Sequence, residues 1–177
     1  MLYPAPVRDI LLCMAEEGLY RPKWSDTIQE EWKRNVLINR PDLKASQLNR
    51  TIQMMNRAFR DAEITKYHTL IDSLRLPDPD DRHVLAAAIR CNADVIVTFN
   101  LKDFPTDILR EFDIEPVHPD QFILNLIDLD EERAMKAFRQ QISQLANPPK
   151  SAQEVLEILH NNGLELTTKR LLGKLFG

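Results

Sequence analysis

Six residues, Ala93-Asp-Val-Ile-Val-Thr98, limit the possible folds more than any other stretch of the chain. A β-branched run of this length, close behind a helical pattern, reads as a strand buried on both faces, the situation of parallel sheets covered by helices. The helix ahead of it spans Asp81 to about Cys91, and helix, short loop, buried strand is an α/β signature. Leu19 to Trp24 reads as a brief strand leading to Ser25, a good N-cap for a helix ending near Leu37. A further helix is expected from Lys44 to Phe59, a short strand from Ala62 to Tyr67, a short helix from Thr106 and an edge strand at Ile114 to Val117. Beyond His118 the pattern is helical through Leu145, breaks at Asn147-Pro-Pro149, resumes from Ser151 through Leu159, and ends in a basic tail from Lys169 to Lys174.

A chain of 177 residues can bury a sizeable core, with domains expected at 1–119 and, as a helical C-terminal extension, 120–177. No apolar run approaches the roughly 20 residues of a membrane span, and no signal peptide is evident, so a cytoplasmic protein without membrane contact is expected. Cys13 and Cys91 sit among helix-compatible apolar residues and read as reduced core thiols. The net charge of −4 argues against nucleic-acid binding by bulk positive charge. It leaves a local basic face open, because an acidic pocket elsewhere would lower the total.

The informative residues are acids placed where apolar side chains belong. On the helix from Ser25, positions 28, 31, 32, 35 and 36 share one face, so Glu31 lies on the stripe of Ile28, Trp32 and Val36, with Asn35 one turn further on. A carboxylate drawn toward a core is costly unless it is paired, hydrogen-bonded or bound to a cation. Asp81 likewise leads the stripe of Val84, Leu85 and Ala88, whereas Asp78 and Asp80 fall in the preceding turn, where capping is the ordinary role. Thr98, Asn100 and Asp103 follow the buried strand, and ligands of open α/β sheets gather at the carboxyl ends of strands. Oxygen donors of this kind suit a hard divalent ion, Mg2+ or Mn2+, and no Cys or His spacing offers a zinc alternative.

Four stretches then appear in order: LYPAP entering a helix, S-x-x-I-x-x-E-W, D-x-D-D-x-x-V-L-A-A-A, and I-V-T-x-N-x-x-D-F. The series resembles the PIN-domain family, and within it the bacterial VapC-like toxins. The resemblance implies an α/β/α sandwich on a parallel sheet, and an endoribonuclease that cleaves single-stranded RNA with Mg2+ or Mn2+. By the same resemblance Glu31, Asp81 and Asp103 are metal-holding acids, Asn100 stands where many members have Asp, and Thr98 supports them, while Asn35 is expected to support Glu31 from its place on the same helix face. A cognate antitoxin is implied as partner, making the protein the toxin of a toxin–antitoxin pair.

PIN domains begin with a strand ending in an aspartate, a few residues before the stretch that here reads MLYPAP. The expectation is that Met1 marks an internal GTG codon and that the natural product carries the upstream strand and its acid, the chain as given having little or no nuclease activity. Arg8, Lys33, Arg34, Arg82 and Lys102 lie near the proposed ligands in sequence and are the candidates for phosphate contacts. The stripe Leu48, Ile52, Met55 and Phe59 reads as core that could also support a homodimer. His83 and His118 read as surface residues. The competing readings are a non-catalytic PIN-fold module that binds RNA or protein, and an unrelated α/β protein whose acids are all caps and rim residues.

Overall fold

The computed structural model describes residues 4–145 and 148–176; Met1, Leu2 and Tyr3 of the LYPAP stretch, and Asn147 of the expected break lie outside the described residues. The elements run α1 (Ala5–Glu16), β1 (Trp24–Ser25), α2 (Asp26–Asn39), α3 (Ala45–Ala58), β2 (Glu63–Ile64) and α4 (His68–Ile71). A 3-10 turn at Pro79–Asp81 precedes α5 (Arg82–Arg90), β3 (Val95–Val97), α6 (Thr106–Arg110) and β4 (Glu115–Val117). The helices α7 (Pro119–Leu129), α8 (Glu131–Gln144), α9 (Ala152–Asn161) and α10 (Glu165–Phe176) complete the chain. No helix among the described residues is long and apolar enough to cross a membrane.

Two compact units result. One is Pro22–Val117; the other combines Met1–Arg21 with His118–Gly177. The first is α/β. Its strands form two parallel ladders, β1 with β2 and β3 with β4, in the registers Trp24 to Glu63 and Ile96 to Pro116. Helix α5 packs against both β1 and β3, which is why Leu85, Ala86, Ala87 and Ala88 are all buried and the helix has no wide polar face. Small alanines allow that close approach on several sides. With Ile64, Tyr67, Leu74, Ile96, Phe104, Leu109 and Ile114 they form the core of this unit.

Strand β3 is less enclosed than its composition suggests. Ile96 is buried, but Val95 and Val97 are only half-buried, because successive side chains point to opposite faces and one face packs less completely. The α3 stripe turns inward at Leu48 and Met55, while Ile52 and Phe59 are half-buried. Ser25 caps α2 as expected, its hydroxyl accepting from the Ile28 N–H at 3.2 Å.

The second unit is a bundle in which α1 packs on α8 and α9, and α10 on α7 and α9. Gln141 of α8 donates to the Pro6 carbonyl at 2.9 Å, tying α8 to the first turn of α1. The basic tail is in fact helix α10. Its first turn is held by Asp120 of α7, whose carboxylate accepts from the N–H groups of Leu166 and Thr167, both at 2.8 Å. That cap comes from 46 and 47 residues away, so nothing local announces it. Both cysteines are free thiols, and burial pushes that of Cys13 up to about 12.

Candidate metal centre

All the acids of interest belong to the α/β unit. Asp78 enters the 3-10 turn and caps it, its Oδ1 accepting from the Asp80 N–H at 2.9 Å. Asp81 stands at the N-cap position of α5 but makes no side-chain capping bond. Its carboxylate is therefore left for another partner. Asp103 arrives on the loop after β3, where the Thr98 hydroxyl accepts the Asn100 N–H at 3.1 Å and the Asn100 side-chain amide donates to Asp103 Oδ2. Thr98 itself is anchored by its backbone N–H to the Val117 carbonyl at 3.0 Å.

These three acids converge. Asp78, Asp81 and Asp103 each offer a carboxylate oxygen within 4.8 Å of the others. Burial pushes Asp81 up to about 6, and the charges of Asp103, Asp78 and Glu31 add to the rise, with His83 opposing it. Crowded, partly desolvated carboxylates repel one another, and a divalent cation is the group that would relieve them. The donor set is all oxygen and fits Mg2+ or Mn2+ better than a thiophilic metal.

Glu31 reaches the same region from α2. It is half-buried, and its Oε1 lies 3.1 Å from Nε2 of His83. The expectation that His83 is a surface residue is wrong: it is 6% exposed. Helix α5 packs against α4, β1 and β3, so a position off its main apolar stripe is buried too. Asp78 takes the capping role that is ordinary for such a turn, and it also joins the cluster. Only the turn Pro-Asp-Pro-Asp-Asp, which brings acids three apart back together, hinted at this. His118 is half-buried and acts as N-cap of α7, its Nδ1 accepting from the Asp120 N–H at 3.2 Å.

The remaining candidates are more dispersed. Asn35 is exposed on α2. Lys33 pairs with Glu30 at 2.6 Å, Arg34 and Lys102 are exposed, and Arg82 donates from Nε to the Pro79 carbonyl at 2.9 Å. Arg8 belongs to the other unit, where its guanidinium meets Asp9 at 2.7 Å.

An acid cluster at the N-terminus of a helix, beside the carboxyl end of a parallel strand, defines a class. A PIN-domain family model matches residues 1–102, and the chain belongs to that family. Residues 119–173 match the VapC50 C-terminal domain. The chain is 44% identical over 79 residues to the Mycobacterium tuberculosis protein named "Putative ribonuclease VapC50", an alignment covering 45% of this chain and 47% of that protein. The chain thus spans about half the length of the curated relative it matches. No solved structure matches.

Proposed function

We propose that the protein is a metal-dependent endoribonuclease acting on single-stranded RNA, and the toxin of a toxin–antitoxin pair. The observation that carries this reading is Asp81: a carboxylate at a helix N-terminus, unused for capping, pushed up to about 6 beside Asp78 and Asp103. Asp81 and Asp103, with Glu31 and Asp78 beside them, would hold Mg2+ or Mn2+. Such an ion supplies an activated water and charge neutralisation at the phosphate. Asn100 aims Asp103 while Thr98 sets the loop. Lys33, Arg34, Arg82 and Lys102 are the phosphate-contacting candidates of this unit. The similarity to a protein named as a ribonuclease supports the same chemistry. A cognate antitoxin and a homodimer are the partners this reading implies.

The second reading, a non-catalytic RNA- or protein-binding module, draws on Asn100, which is neutral and already engaged with Asp103. One assay separates the two. A labelled single-stranded RNA is incubated with purified protein and Mn2+, with EDTA and with the Asp81→Asn variant as controls. Cleavage abolished by both controls supports the nuclease; RNA retention without cleavage supports the binding module. Equal cleavage by wild type and Asp81→Asn removes the proposed site.

A further inference from the structure

His83 is a poor choice of filler for the interior of α5. It is buried, and neither ring nitrogen completes an aligned hydrogen bond. An apolar side chain of similar size would pack there without leaving polar atoms unpaired. The nearest ionic group is the Glu31 carboxylate, 3.1 Å from Nε2, on a different helix. A proton on Nε2 sets positive character 3.1 Å from the Glu31 carboxylate, an attraction between imidazole and carboxylate that does not require an aligned N–H. We propose that His83 is a positioning residue, holding the Glu31 carboxylate of α2 beside the Asp78–Asp81–Asp103 cluster of the neighbouring elements.

The geometry supports this in two ways. Glu31 has no backbone constraint toward the cluster, since it projects from the second turn of α2, whereas Asp78 and Asp81 share one turn of chain. A flexible glutamate of this kind needs a second contact to stay on the cluster side, and His83, two residues after Asp81, is rigidly placed to provide it. Groups that orient a metal-holding carboxylate matter to affinity nearly as much as the carboxylate itself. The inference rests on the reading of the cluster as a cation site.

The test is Mn2+ binding by calorimetry on the full chain, which is independent of RNA cleavage. His83→Leu should weaken binding by roughly 10-fold or more, and His83→Gln, which can still present an N–H, should recover most of the loss. In a Glu31→Gln background, His83→Leu should have no further effect. A wild-type affinity in His83→Leu, or a loss that adds in full to that of Glu31→Gln, would overturn the assignment while leaving the metal site standing. Wild-type protein that binds no Mn2+ would overturn both. A fold-independent check follows the ring nitrogens of the four histidines by NMR as Mg2+ is added. The His83 ring nitrogens should shift. An unmoved His83 in Mg2+-saturated protein sinks the proposal even where His83→Leu fails to fold.

Discussion

The side-chain amide of Asn100 donates to the carboxylate of Asp103, three residues further along the loop that leaves β3. The bond fixes which way the Asp103 carboxylate faces, and the Thr98 hydroxyl in turn fixes Asn100 through its backbone N–H. Asn100→Ala should therefore lower Mn2+ affinity by about 10-fold. Because Asn100 is exposed, its loss should change stability by no more than about 0.5 kcal/mol. Calorimetry and a melting curve on the same sample check both halves; undiminished affinity would mean that the loop backbone alone orients Asp103.

Asp81 sets the pH response of the metal-free protein. Its native pKa of about 6 lies above the ordinary 3.8, so between those values the folded chain binds more protons than the unfolded one. Stability from this group is full below about 4 and is lost as pH rises through about 6. Asp81→Asn should flatten that decline and stabilise the metal-free protein at pH 7. For a half-exposed group the gain is on the order of 1 kcal/mol after solvent screening, or about 2–4 °C in melting temperature. Melting curves from pH 4 to 8 in EDTA test it. Metal and proton compete for the same carboxylate, so Mn2+ affinity of the wild type should rise over the same pH range.

Asp120 is the anchor of α10. Replacing it with Ala would strip acceptors from the N–H groups of half-exposed Leu166 and buried Thr167, costing about 2 kcal/mol. Asp120→Asn keeps an acceptor and should cost about half as much. Hydrogen exchange locates the effect: the amides of Leu166 and Thr167 should lose protection first. Uniform loss across the unit would argue that the cap is inseparable from the rest of the bundle.

Tyr67 ties β2 to the start of α2. Its hydroxyl donates to Asp26 Oδ1 at 2.5 Å and lies 2.6 Å from Thr27 Oγ1. That bond is the main reason Asp26 is held below the usual carboxylate range. Tyr67→Phe should cost about 1–2 kcal/mol at neutral pH. A depressed carboxylate contributes stability above its unfolded pKa and loses it as pH falls, so the gap between variant and wild type should narrow in acid. Urea unfolding at pH 7 and pH 3 compares the two directly.

Much of this protein was legible from short windows of sequence. The Ser25 cap, the inward tilt of Glu31, the helix before β3 and the loop acid Asp103 all follow from helical periodicity, capping chemistry and β-branched runs, which act over a few residues. Tertiary structure decided the rest. His83 is buried because α5 is packed from several directions, and Asp78 counts as a cluster member only because Asp103 folds back against it. Helix α10 starts where a distant aspartate receives its N–H groups, and α1 is tied to α8 by a bond between residues 135 apart. Local propensity determines what a segment can become; which of its polar atoms are left to do chemistry depends on what packs against it from elsewhere in the chain.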